Sequence, residues 1–220
     1  KGKSKSKWLS YYMGIRASVF DEWMEEQMTK YPKAVVIHIG CGMDSRVLRV
    51  GTNNHYWFDI DFPDVIAERR KYYNENEHYK MINGDVRESD WLNKIPNNKH
   101  AIVVLEGVSM YLTNLELKKV ISNLGNHFEN VNLLMDCYSS FAAKMSKYRN
   151  PVNDVGVAQV FGLDDPKLVV DSNVLFKKEH EMTPAKYIEE LDGLEKFFFR
   201  KLYAGSLSKK LYKLYEFKKH

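Results

Sequence analysis

The chain has 220 residues, 44% of them hydrophobic and 28% charged, with a formal net charge of +4. That length accommodates one domain with a full core. The mild charge argues against a nucleic-acid partner, and no apolar run has the length of a membrane span or the pattern of a signal peptide.

The two cysteines, Cys41 and Cys137, form neither a Cys-x-x-Cys nor a Cys/His cluster. Reduced thiols in a cytoplasmic protein without a metal site are therefore the expectation. The first residue is Lys1 rather than Met, so the natural N-terminus is expected to be missing or processed.

In chain order, Lys1, Lys3, Lys5 and Lys7 alternate with Gly and Ser. Residues 1–12 read as a mobile basic lead-in, either solvated or touching an anionic partner. Val19, Phe20, Trp23, Met24 and Met28 recur at helical spacing and predict an amphipathic helix over Ile15 to Thr29. The short apolar strand Ala34–Ile39 breaks into Gly40-Cys41-Gly42-Met43-Asp44-Ser45-Arg46. A second strand, His55–Ile60, runs into Asp61, and Phe62-Pro63 opens the next helix, where proline suits the first turn. The basic end of that helix, Arg69, Arg70 and Lys71, complements its dipole.

Strand three is predicted over Tyr79–Asn83, strand four over Ala101–Leu105 and strand five over Asn132–Cys137. Between the last two, Thr113-Asn114-Leu115-Glu116 is a capping box, and Leu117, Val120, Ile121 and Leu124 follow on one helical face. Residues 139–182 are expected to be an insertion over the site, because periodicity is weak from Phe141 to Val170 and Pro151 and Pro166 interrupt it. Thr183-Pro184 starts another helix; Leu194–Tyr203 and Leu207–Phe217 read as a strand pair or as a helix and a strand. Five β-α alternations predict a single α/β domain over 1–220, a mostly parallel sheet with helices on both faces.

Ligands of open α/β sheets bind at the carboxyl ends of the strands. Here strand one ends in Gly40-Cys41-Gly42, strand two in Asp61, strand three in Gly84-Asp85-Val86 and strand four in Glu106-Gly107-Val108. Glycine admits a ligand close to the backbone, and a carboxylate accepts both ribose hydroxyls. A dinucleotide fingerprint needs a third glycine where this chain has Ser45, and Asp44 would repel a pyrophosphate. The pattern suits a ligand with cationic and hydroxyl groups, such as S-adenosylmethionine (SAM). An NAD(P)-binding oxidoreductase and a non-catalytic binding module are the alternatives. Glu106 ends an apolar strand, where an unpaired acid is costly, so it meets either a cationic ligand or a nearby Arg or Lys. His38 reads as a core histidine, Asp59 as an acid for ribose or for an arginine, and Cys41 lacks an evident base.

The runs Val36–Arg46, Phe58–Pro63, Gly84–Arg87 and Glu106–Leu112, in that order, resemble the leucine carboxyl methyltransferase family, including bacterial members similar to the tetracenomycin polyketide O-methyltransferases. The resemblance covers about Ile15 to Cys137. It implies a SAM-dependent O-methyltransferase with a Rossmann-like seven-stranded sheet whose last strand is antiparallel, S-adenosylhomocysteine being the product. It also implies residue roles. Arg16 would pair with the SAM carboxylate, and Gly40 and Gly42 would line the methionine portion. Asp61 would hold the ribose hydroxyls. Asp85 and Val86 would meet the adenine, Glu106 the amino or sulfonium end, and Tyr111 the acceptor. Tyr11, Tyr12, Met13 and Met110 either border the acceptor or pack. The family places N-terminal helices around the acceptor. An acceptor carboxylate is ionised at neutral pH and needs no base, whereas a hydroxyl needs one, and no base stands out.

Overall fold

A computed structural model of the chain describes residues 7–97, 100–146 and 159–219. Its elements are α1 (Lys7–Lys30), β1 (Val35–Ile39), α2 (Arg46–Val50), β2 (Trp57–Asp61), α3 (Pro63–Arg69), β3 (Tyr79–Asn83), β4 (His100–Leu105), α4 (Asn114–His127), β5 (Asn130–Tyr138), α5 (Ser140–Ser146), β6 (Leu175–His180), α6 (Ala185–Glu189), α7 (Gly193–Tyr203), α8 (Ser206–Leu211) and β7 (Tyr212–Lys219). The strands form one seven-stranded sheet in the order β3-β2-β1-β4-β5-β7-β6. Neighbours from β3 through β5 are parallel, and β7 runs antiparallel to both β5 and β6. The chain steps outward from β1 to β3 and then crosses back to β4. The carboxyl ends of β1 and β4 are thus the switch point at which such sheets open a crevice.

Side chains alternate across each strand, and the alternation builds two cores. Val35, Ile37 and Ile39 pack with Leu117, Val120, Ile121 and Leu124 of α4. Val36, Trp57, Ile102, Val104 and Leu134 pack on the other face with Phe20, Trp23, Met24 and Met28 of α1. By the same parity His38, Asp59, Asp61, Glu106 and Asp136 all belong to the α1 face. The sheet therefore delivers its polar residues to one side, under α1.

The Thr113 capping box forms as expected, with Thr113 Oγ1 accepting from the Glu116 amide and Glu116 accepting from the Thr113 amide. Two expectations change and one open alternative is decided. Residues 1–6 of the basic lead-in lie outside the described residues, and residues 7–12 are helix, not lead-in. The helix extends because Trp8 stacks on Phe198, Tyr11 meets the edge of Phe199 and Tyr12 leans on Tyr203, all partners from α7. The segment 139–182 contains an edge strand, β6, whose sequence Leu-Phe-Lys-Lys-Glu-His lacks the alternation of a half-buried strand. Its part 147–158 lies outside the described residues. At the C-terminal end the helix-and-strand alternative is the one adopted.

Candidate active site

The turn after β1 is tied to β2 by backbone bonds from Gly40 and Cys41 to the Ile60 carbonyl, 2.7 and 3.2 Å. Asp61 completes the tie. Its Oδ2 accepts the Gly42 amide at 2.7 Å and its Oδ1 the Phe62 amide at 2.8 Å. The carboxylate thereby accepts two backbone amides and keeps lone pairs for a further donor.

The two glycines of the turn serve different ends. A side chain at Gly40 would collide with a Val108 methyl group, so this position is needed for strand-to-loop packing. Gly42, at φ +50°, faces open space.

Beyond the turn lies a chain of alternating charges. Arg16 of α1 donates Nε to Glu106 at 2.7 Å and Nη1 to the Tyr212 hydroxyl at 2.8 Å, with Asp136 Oδ2 3.4 Å away. Arg46, wholly buried at the start of α2, takes the other Glu106 oxygen and donates Nε to Asp21 at 2.7 Å. The Phe20 ring covers its guanidinium at 5.3 Å. Glu106 thus meets two arginines, the internal-partner alternative, with its side chain only 9% exposed. Asp136, fully buried, accepts from the Gly107 amide at 2.7 Å and from Tyr212 Oη. Burial raises its carboxyl above the ordinary range, with Glu106 adding to the rise and Arg16 opposing it.

A second buried group underpins the glycine turn. Asp59 accepts from Trp57 Nε1 at 2.8 Å and from Tyr79 Oη at 2.6 Å, and pairs with Arg69. Burial would raise the Asp59 carboxyl, but His38, Arg69 and Tyr79 outweigh it and hold it low. Arg69 also donates to the carbonyls of Gly42 and Asp44, at 3.1 and 2.7 Å. Arg69 closes α3 as part of the expected basic end, and α3 is short enough for its side chain to turn back under the loop. His38 is buried with Nε2 3.3 Å from Arg46, as a core histidine should be. Its Nδ1 lies 3.5 Å from Asp59 without an aligned hydrogen bond. Asp44, expected to face a cationic ligand, is instead committed to Arg49 at 2.7 Å and Arg46 at 3.4 Å. The Cys41 thiol is buried and pushed up by that burial, so it is no nucleophile.

Asp85 stands half-buried after β3 and is held below the usual carboxylate range chiefly by hydrogen bonds from Arg87. Val86 beside it packs on the α4-side core. Tyr111 is partly exposed next to the switch point. Burial raises its hydroxyl, and the charges of Arg16 and Asp136 and the Tyr138 hydroxyl reach it. The extended segment around Phe161 and Leu163 crosses here, its amides bonding Met110 O and Tyr138 O at 2.8 Å. Arg46, Arg69, Asp136 and Tyr212 carry no role in the sequence reading. Asp136 was findable, since it lies near the end of strand five, one residue past Met135, as Glu106 lies one residue past Leu105, the register partner of Met135.

No group of three or more His, Cys, Asp or Glu residues among the described residues is arranged to hold a metal, and no described helix is long and apolar enough to cross a membrane.

Comparison with known proteins agrees with this geometry. The family model for leucine carboxyl methyltransferase matches residues 1–125. Among similar curated proteins, the tetracenomycin polyketide synthesis O-methyltransferase TcmP of Streptomyces glaucescens is 29% identical over 83% of this chain and 69% of its own length. An S-adenosyl-L-methionine-dependent methyltransferase of Gibberella zeae, dpfgK, is 29% identical over 75% of this chain and 60% of its own. In fold, the chain is similar to a putative methyltransferase from Thermobifida fusca, with a TM-score of 0.67 at 10% identity over 94% of this chain and 81% of that one. It is also similar to magnesium protoporphyrin IX methyltransferase from Synechocystis with bound SAH, at 0.61 and 9% over 100% and 90%. The chain belongs to the leucine carboxyl methyltransferase family and is a SAM-dependent methyltransferase.

Proposed function

We propose that this enzyme transfers the methyl group to an oxygen of a small-molecule or peptide acceptor, and that the acceptor oxygen is a carboxylate. When bound, SAM supplies a methyl group on a positively charged sulfur, which an oxygen nucleophile displaces. Arg16 and Glu106 would hold the carboxylate and amino ends of its amino-acid portion, and Asp61 the ribose hydroxyls. Gly42 leaves room for the chain between, and Asp85 with Val86 would border the adenine. The single observation that carries this reading is the Arg16–Glu106 pair, 2.7 Å apart at the switch point. A zwitterion's carboxylate and ammonium would meet the open side of Arg16 and the Glu106 carboxylate with the internal pair kept, which offsets the desolvation of both side chains.

Three tyrosines near Arg16 support a carboxylate acceptor. Burial raises the hydroxyls of Tyr12, Tyr111 and Tyr212 above the ordinary value, so at neutral pH they donate hydrogen bonds and take no proton. Tyr111 is the one open to an acceptor. Holding an ionised acceptor in line contributes roughly 7–11 kcal/mol without any base. We place the reaction in the cytoplasm, where Cys41 and Cys137 stay as the free thiols they are here. The described parts of segment 139–182, residues 139–146 and 159–182, would flank the acceptor side.

The test uses methyl-labelled SAM with matched acceptors carrying a carboxylate or a hydroxyl. Carboxyl methyl esters release volatile methanol in base, whereas ethers do not. Base-labile label is the expected result; label that survives base identifies a hydroxyl acceptor and overturns the carboxylate assignment.

A further inference from the structure

We propose that Asp136 and Tyr212 are positioning residues which set the direction of the one free edge of Arg16. This rests on the reading that Arg16 takes the carboxylate of the cofactor. Arg16 has three nitrogens to commit. Nε is bound to Glu106, and Nη1 is bound to Tyr212 Oη with Asp136 behind it. Nη2 has no hydrogen-bond partner among the described residues. It lies 3.7 Å from the point where a Cβ would stand on Gly107, at φ +70°, so the missing side chain leaves space beside the free donor.

Asp136 controls both walls of that space. One oxygen accepts the Gly107 amide at 2.7 Å, fixing the turn, and the other accepts from Tyr212, whose oxygen in turn receives Arg16. A guanidinium pinned at two nitrogens cannot rotate about its stem, so its third nitrogen is a donor of fixed direction. That converts a flexible cation into an oriented one and removes the ordering cost of binding. Tyr212 starts β7, the antiparallel strand beside β5, so the strand order itself brings the clamp to the end of β5.

The experiment compares two ligands on the same protein. S-adenosylhomocysteine carries the amino-acid end, and 5′-methylthioadenosine keeps the adenosine and sulfur but lacks it. Tyr212→Phe preserves packing and charge while removing the hydroxyl, and Asp136→Asn removes the carboxylate. For Tyr212→Phe the expected result is about tenfold weaker binding of S-adenosylhomocysteine, the loss of one charge-assisted orientation. Affinity for methylthioadenosine should change less than twofold, as fits a group acting only at the amino-acid end. Asp136→Asn should weaken S-adenosylhomocysteine at least as much. Equal loss for both ligands would mean a merely structural role, and no loss for either would mean that Arg16 is not steered; each overturns the proposal. If Asp136→Asn does not fold, Tyr212→Phe decides alone. Failure of the wild-type protein to bind either ligand would instead refute the cofactor reading beneath it.

Discussion

Arg16 donates its Nε to Glu106 at 2.7 Å, joining the first helix to the end of the fourth strand across ninety residues of sequence. The pair is the hub of the charge chain that runs from Asp21 through Arg46 to Asp136. Because its members are largely buried, each partner answers for the desolvation of the next.

Arg46 tests that dependence. Its side chain is wholly buried against Asp21, Asp44, Glu106 and His38. Arg46→Met removes the buried cation shared by Asp21, Asp44 and Glu106, leaving Glu106 with Arg16 alone, and should destabilise the fold by about 3–5 kcal/mol. Arg46→Lys keeps the charge but cannot span Asp21 and Glu106 together, and should cost less. Urea denaturation of the three proteins checks the order; an Arg46→Met variant as stable as wild type would contradict it.

Asp61 should matter to every adenosine-bearing ligand. A hydrogen bond to a charged group contributes about 1.5–3 kcal/mol, so Asp61→Ala should weaken SAM by roughly ten- to a hundredfold. Unlike the changes at Tyr212, it should weaken methylthioadenosine equally, since the ribose is shared. Calorimetric titration of the folded variant reads both affinities, and unchanged values would remove Asp61 from the site.

Gly40 and Gly42 should separate stability from binding. Gly40→Ala drives a methyl group into Val108, where overpacking costs about 1–3 kcal/mol, and Gly40 is itself left-handed at φ +66°, which adds about 1–2 kcal/mol. Gly42→Ala meets no neighbour but holds a left-handed backbone, costing about 1–2 kcal/mol while placing a methyl group in the crevice. Melting curves with and without S-adenosylhomocysteine should show ligand stabilisation kept in a folded Gly40→Ala and lost in Gly42→Ala.

The β6 edge of the sheet sets an acid limit. Glu216 of β7 is buried against Lys177, at 2.8 Å, and His180, at 2.7 Å. Burial would raise its carboxyl, but the hydrogen bonds from His180 and Lys177 prevail and draw it from about 4.5 down to about 2. Between those values the unfolded chain binds the proton and the folded one does not, so stability rises with pH there. The contribution is fully present above pH ~4.5 and lost as pH falls toward ~2; with Lys177 partly in solvent it amounts to about 2 kcal/mol. Glu216→Gln should remove that much stability at pH 7 and flatten the acid limb of the stability profile measured by urea denaturation.

Much of this was legible from local pattern. Strands one to four are largely apolar runs followed by glycine or carboxylate, and the sheet order brings those ends together. Asp59 could be read either way, because a strand acid facing the same side as Asp61 also suits an arginine, and Arg69 proves to be that arginine. The rest depended on pairings distant in sequence. Arg16 and Glu106, or Tyr212 and Asp136, meet only through strand order and helix placement. No spacing rule signals that Arg46 turns inward, since a short helix after a glycine turn offers equal room for a solvated arginine. The edge strand β6 is hidden by its charges, which keep such an edge from pairing with another chain.

The most direct test of the cofactor site is a calorimetric titration of the folded protein with SAM, S-adenosylhomocysteine and NADH. Binding of the two adenosyl ligands in the micromolar range, with none of NADH, is the predicted result. A folded protein that binds NADH but neither adenosyl ligand would contradict the assignment of Arg16, Gly42, Asp61 and Glu106 to a SAM site.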